Sequence, residues 1–442
     1  MTLKKDRIPQ GPSVKEAQQL LNEKKEEAWL ILTEKYGKNF LYQGTVVTCD
    51  PSVIEMLLME RSHTRKRSII YRFLYKLIPL PYGLLFLDGN LWQKKLQTVM
   101  PVFTRPNISQ YTGFMHQYLL QMIHDWDTIN QFSDLYSKVV EINAGLLMKV
   151  GFGLNPDTVF AKELAGILVD YKFDLMDSRT RLDEFGMSPK MIGRLPKFII
   201  AERKRKKKRQ QLNKQIQSII NSGILEKNAG LNWISSLQEA GFSVVEIANE
   251  VNHLYGAYNA LDYTITCAIY ELGRNPDLQE QLKKELSISD DLPVGITHQA
   301  FGKIPHTIHF MQEVFRFYPV SMGVSRRTGE AIVTPDLDIP AGQEILIALY
   351  ALHHHPDYWE HPEQFNPGRW VKGMPNSFTY IPFLKGPRHC IGRHLAEVNF
   401  INFIRVWLLE GTIQVPDKPI HLAPFMIPRF EESIHCTFQK CK

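Results

Sequence analysis

The chain has 442 residues, of which 44% are hydrophobic and 22% charged, with 52 Lys and Arg against 46 Asp and Glu for a net charge of +6. These are globular values. They exclude collagen-like, low-complexity and disordered chains, and a chain of this length buries a large core without a disulfide or zinc staple. The balance is too even for a protein that binds nucleic acid over its whole surface.

Residues 1–30 contain no apolar signal segment, and Ser13 to Tyr36 shows helical spacing, with Ser13 and Glu16 placed as a capping box and Gly37 as a stop. The segment NFLYQGTVVTCD reads as a hairpin turning at Gln43-Gly44, and Pro51 opens a helix. Leu77 to Leu87 is the longest apolar run, but Pro79, Pro81 and Gly83 break it, and it is shorter than the roughly 18 residues a transmembrane helix needs. The chain therefore reads as soluble and cytoplasmic, with room for a peripheral contact at a membrane surface. From about residue 110 to 290 the pattern is almost all helical. That stretch includes the basic run Arg203 to Arg209 and a long helix over Val245 to Leu272, ended by Asn275-Pro276. A helix ending at Pro319 follows, then short strands VSRRTG, AIVTP and EILIALYAL, then an irregular stretch over residues 353–388. A last helix starts near Cys390, and the Pro-rich tail reads as strands. The whole is a mainly α chain with a small β portion drawn from about residues 38–50, 320–352 and the C-terminal strands, organised as one domain over 1–442.

The five cysteines are Cys49, Cys267, Cys390, Cys436 and Cys441. The odd count and the lack of a C-x-x-C pair speak for a reducing compartment. Cys267 reads as core, and Cys436 and Cys441 as free surface thiols. Cys390 differs. It lies in FLKGPRHCIG, Phe383 to Gly392, just before an apolar-periodic helix. Gly386 and Gly392 permit tight turns and a close approach to something flat. Arg388 offers a fork of donors suited to a carboxylate. The positive end of the helix favours a thiolate at Cys390. A single soft ligand without partner Cys or His suits heme iron.

The pattern Phe-x-x-Gly-x-Arg-x-Cys-x-Gly resembles the heme-ligand signature of the cytochrome P-450 superfamily of heme-thiolate monooxygenases, with every fixed position matched. Glu313-Val-Phe-Arg316 resembles the family's Glu-x-x-Arg helix, and FNPGRW, Phe365 to Trp370, its meander segment with Arg369. The likeness runs from about Gly37 to Arg429. It implies the cytochrome P-450 fold, heme b (iron protoporphyrin IX) with Cys390 as axial iron ligand, and propionate contacts from Arg388, Arg326 and Trp92. Phe383 and Gly392 then frame the ligand loop, and Glu313, Arg316 and Arg369 form a structural network behind it. It further implies an external electron donor (a ferredoxin, flavodoxin or reductase) docking near Lys385, Arg388 and Arg393. A hydrophobic, lipid-like substrate would be lined by Tyr255, Tyr258, Val320, Val324, Phe425 and Met426.

Two departures stand out. Four positions after Trp92 the family usually has Arg, and here stands Leu96, so Lys95 is the substitute for the propionate. The family's acid–alcohol pair over the heme falls on Asn259-Ala260. Ala260 cannot hold the water that passes protons to bound dioxygen, and Asn259 does not titrate. A second pair, Asp262 and Thr264, would serve if the helix bulged. The expected reaction is oxygen insertion, with a heme-thiolate isomerase, dehydratase or peroxygenase as the alternative. His353-His354-His355 does not read as a metal cluster, because consecutive side chains diverge. The run Arg203 to Arg209 reads as a solvated face or membrane contact rather than a nucleic-acid site.

Overall fold

The computed structural model describes residues 8–59, 83–85, 87–170, 207, 210–211, 213–219, 221, 232–288, 292–335, 337–373, 376–423 and 428–441. Phe425, Met426 and the basic run Arg203 to Arg209, apart from Lys207, lie outside the described residues.

The N-terminal stretch read as one helix is two, Val14–Glu23 and Ala28–Tyr36, joined by a tight turn at Lys25–Glu27. Ser13 does cap the first, its Oγ accepting from the Glu16 N–H at 3.2 Å. The Glu16 carboxylate does not return to Ser13. It takes Lys35 Nζ and the Tyr36 hydroxyl of the second helix, each at 2.6 Å. A tertiary ion pair thus outcompetes half of the local capping box.

The strands are β1 (Asn39–Tyr42), β2 (Thr45–Thr48), β3 (Ile129–Phe132), β4 (Val324–Arg327), β5 (Ile332–Val333), β6 (Asp338–Ile339), β7 (Glu344–Ile347), β8 (Gly411–Gln414), β9 (Leu422–Ala423), β10 (Arg429–Phe430) and β11 (Cys436–Lys440). Gln43 and Gly44 both sit at positive φ, +47° and +76°, so β1 and β2 join through the primed turn that matches strand twist. The main sheet has the order β1-β2-β7-β4, with β2 parallel to β7 and the other pairs antiparallel. The segment EILIALYAL is not all strand: after Ala348 it becomes the helix Leu349–His354, which packs on Ala28–Tyr36. Within the stretch read as helical, β3 pairs with β11, which also pairs with β8.

One large core joins the helices. A second joins β1, β2, β4 and β7 to Pro51–Met59 and Leu349–His354. The central helix, Val244–Arg274, starts on a complete capping box of Ser243 and Glu246 and stops at Asn275. It packs against Leu135–Phe152, Trp233–Glu239, Pro276–Ile288, Pro305–Phe317 and Arg393–Glu410. Being enclosed, it is buried on several faces, with Leu254, Leu261, Ile265, Ala268 and Ile269 in the core beside the buried polar Glu250, Asn259 and Asp262. Cys436 is buried in β11, contrary to the surface position expected, because β-alternation turns it inward with Phe438. Cys267 is buried and Cys441 exposed, Cys441 accepting from Lys283 Nζ at 3.0 Å.

Candidate functional site

The Cys390 loop is a tight hairpin closed on itself. Cys390 N–H donates to Phe383 O at 2.8 Å and His389 N–H to Gly386 O at 3.1 Å. The helix Arg393–Glu410 starts three residues after the cysteine. Its first N–H groups, on Gly392 and Arg393, point at the sulfur, and with the Arg393 charge they pull the thiol pKa down. Burial is the larger influence and leaves it raised in the protein alone. The sulfur's surroundings are distinctive. Cys390 keeps a large accessible surface, yet protein atoms surround it as they do a core residue. Both hold together when that surface faces an internal hollow. A Cβ built on Gly392 would meet only the Cys390 sulfur within 4 Å, at 3.9 Å, and otherwise open space.

Arg388, Arg326 and Trp92 converge. The Arg388 guanidinium lies 4.1 Å from the centre of the Trp92 ring and is buried, donating to Leu87 O at 2.9 Å and Asp88 Oδ1 at 2.8 Å. Burial pulls its pKa down; Asp88 opposes and the nearby Arg326 charge adds, leaving it at about 10. Arg326 is itself 2% exposed. Two buried guanidiniums that repel one another, an indole beside them and an accessible sulfur under a hollow make a donor set that fits an iron porphyrin with two carboxylates. Asp88 was not found from sequence. Locally it reads as the N-cap of Gly89–Val99, yet it makes no cap hydrogen bond and spends its carboxylate on Arg388.

Lys95 is placed differently from expectation. Its ammonium donates to Glu250 Oε1 of the central helix at 2.7 Å, both side chains being 1% exposed, and Glu250 also accepts the Leu84 N–H. A buried carboxylate of the chain itself has taken the cation. Arg388 is likewise no surface charge for a donor protein, whereas Arg393 is exposed.

On the central helix Ala257 is exposed and Ala260 partly so, amid buried neighbours. At 100° per residue these two share one face. Asn259 lies on the opposite side, 2% exposed, with no hydrogen-bond partner for its Oδ1 among the described residues. The Asp262–Thr264 alternative is corrected by the structure. The helix runs α-helical without a bulge from Val244 to Arg274. Asp262 accepts from Asn143 Nδ2 at 2.6 Å, and the Thr264 hydroxyl is spent on Ala260 O at 2.7 Å. Tyr255 shares the Asp262 face, and its buried ring lies near Tyr136. The Tyr258 hydroxyl lies beside Asn399 of Arg393–Glu410. Both tyrosines therefore belong to helix packing rather than to the Ala257–Ala260 face. Val324 packs in the sheet-side core, while Val320 is partly buried against the helical core.

Behind the loop, Glu313 is a hub. Its carboxylate accepts Arg316 Nε at 3.0 Å and Nη2 at 2.8 Å, Arg369 Nε at 3.0 Å, Trp370 Nε1 at 3.0 Å and the Asn366 N–H at 2.9 Å. Phe315 carries this helix onto Phe383, ring centres 5.2 Å apart. His353, His354 and His355 go to separate partners: Ile381 N–H, Tyr350 O and Asp357 N–H.

Comparison with known proteins agrees with this geometry. The family described as Cytochrome P450 matches residues 15–420. Similar curated proteins include cytochrome P450 3A18 of Rattus norvegicus, 25% identical over 83% of this chain and 78% of its own length. The taurochenodeoxycholic 6 alpha-hydroxylase of Sus scrofa is 26% identical over 90% of this chain and 82% of its own. The mitochondrial cholesterol side-chain cleavage enzyme of Hypanus americanus is 29% identical over 40% of this chain and 37% of its own.

Proposed function

This chain belongs to the cytochrome P450 family, and on that premise we propose that it is a heme b monooxygenase, one domain over residues 1–442, that hydroxylates a lipid-like small molecule with Cys390 as the iron ligand. The observation that carries the reading is the accessible, enclosed Cys390 sulfur beside the buried Arg388 and Arg326. When bound, a thiolate-ligated heme supplies the iron that activates dioxygen. The chain's own residues do the rest. Cys390 would hold the iron, its sulfur steadied by the Gly392 and Arg393 N–H groups. Arg388 and Arg326 take the propionate charges, and Trp92 stacks on Arg388. Ala257 and Ala260 present a smooth apolar wall that admits a hydrophobic substrate and excludes water from its face. That names of similar proteins refer to cholesterol and to taurochenodeoxycholic acid supports a steroid-like lipid substrate.

Ala260 has no hydroxyl, and that of Thr264, one turn on, is committed to the Ala260 carbonyl. Protons for oxygen activation would then have to be supplied by ordered water or by the substrate. The same observation favours a second reading, a heme-thiolate isomerase, dehydratase or peroxygenase, which needs no such relay. The electron donor is external, a ferredoxin, flavodoxin or reductase, meeting the face with Lys385 and Arg393. No helix among the described residues is long and apolar enough to cross a membrane. A cytoplasmic protein with peripheral membrane contact through the basic run at 203–209 fits this reading.

The test is isotope incorporation from labelled dioxygen during turnover of a lipid extract with surrogate redox partners, beside a control without reductant. Label in a new product only with reductant supports hydroxylation, and Ala260→Thr then raises product formed per electron consumed. Unlabelled product formed without reductant replaces the first reading with the second.

A further inference from the structure

We propose that His298, His394 and Glu397 form a zinc(II) site, with water as fourth ligand, one turn into the helix that follows Cys390. His394 and Glu397 stand at i, i+3 on Arg393–Glu410 and share a face. His298 is brought to them by the turn His298–Lys303. Ile296, two residues before His298, is clamped to the same helix, since Asn402 Oδ1 accepts the Ile296 N–H at 2.8 Å and Asn402 Nδ2 donates to Ile296 O at 2.9 Å. The three ligand atoms lie within 4.8 Å of one another.

The geometry is close to a metal site's. Glu397 Oε2 is 3.2 Å from His298 Nε2 and 3.7 Å from His394 Nδ1. A tetrahedron with bonds of about 2.0–2.1 Å has edges of ~3.3 Å, between those two separations. The third edge would close by a rotation of the His394 ring, which is 32% exposed. The rings stand nearly perpendicular, 85°, with centres 4.9 Å apart, so neither covers the other's nitrogen. The carboxylate is already oriented: Arg393 Nε donates to Oε1 at 2.8 Å and leaves Oε2 to the rings. The His394 Nδ1, 3.7 Å from Glu397 Oε2, is buried and has no hydrogen-bond partner among the described residues. An unsatisfied buried nitrogen aimed at a carboxylate oxygen is what a cation between them would complete.

Ligand chemistry selects the ion. Two imidazoles and one carboxylate suit zinc, and an open fourth position suits water. The cations facing the cluster are Arg393, engaged by Glu397, and Arg105. They oppose purely electrostatic binding, which disfavours calcium and magnesium against an ion held by nitrogen.

The test uses the tag-free, heme-loaded protein, dialysed to equilibrium against graded zinc chloride, with zinc and iron measured together. One zinc per heme iron is expected, unaffected by excess calcium. His298→Ala and His394→Ala should each weaken binding at least ~10-fold. The thiolate spectrum of the reduced carbon monoxide complex reports that each variant is folded. If His298→Ala fails that control, the more exposed His394→Ala decides. No saturable zinc below ~100 μM, or affinity unchanged in the folded variants, overturns the proposal.

Discussion

Gly386 turns at φ +73°, and a Cβ there would stand 2.0 Å from Leu58 O, a backbone atom at the end of Pro51–Met59. Left-handed backbone costs a non-glycine residue about 1–3 kcal/mol, and here a clash with a carbonyl adds to it. Gly386→Ala should therefore lower stability by about 2–4 kcal/mol and release heme, read as a lower urea midpoint and a lower heme-to-protein ratio. The need for glycine was legible in the motif; the Leu58 carbonyl that enforces it was not, because nothing local couples the two segments. Asp88 makes the same point. Its neighbours announce a helix cap, and a guanidinium from far along the chain takes its carboxylate instead.

Among elements, the central helix was the most legible. Its capping signal, its length and its stop at Asn275-Pro276 are all local. What it carries on each face was not. Lys95 meets Glu250 across a helix–helix contact, and removing one charge of a buried pair strands the other. Lys95→Ala should cost about 3–5 kcal/mol by urea denaturation. Lys95→Met with Glu250→Gln, which keeps an acceptor for the Leu84 N–H, should recover most of that loss, whereas an equal loss in the double variant would mean that the pair is not what holds these helices together. The strand read through EILIALYAL failed for a related reason. Both halves are apolar, and the second half is helical where Leu349–His354 packs against Ala28–Tyr36.

At the scale of the whole molecule, His353 ties two helices to the irregular stretch. His353 Nε2 accepts the Ile381 N–H, and its carbonyl accepts Arg316. Burial and the Arg316 charge pull the His353 pKa down to about 3, and burial pulls His354 down also. The folded state thus favours the neutral rings. Their contribution is intact above the unfolded value near 6.5 and is lost as pH falls from there towards 3, because the unfolded chain binds the protons first. Stability should fall on acidification with up to ~1.4 kcal/mol per pH unit from each ring. Urea midpoints from pH 7.5 to 4.5 should show a shallower fall for His353→Asn than for the parent chain, and parallel lines would assign the acid sensitivity elsewhere.

The local sequence determined the ligand loop, the Glu-x-x-Arg helix, the mainly α architecture and the missing hydroxyl at Ala260, because each is a matter of residue type and short spacing. Apart from the Glu313–Arg316 pair, which is set by spacing on one helix, the partners of these buried charges were decided by tertiary structure. Lys95 with Glu250, Arg388 with Asp88, Asp262 with Asn143 and the meeting of His298 with His394 and Glu397 all join segments that are distant in the chain. A buried charge must find compensation somewhere in the folded interior, and which group supplies it depends on how the helices pack rather than on anything written beside it in the chain.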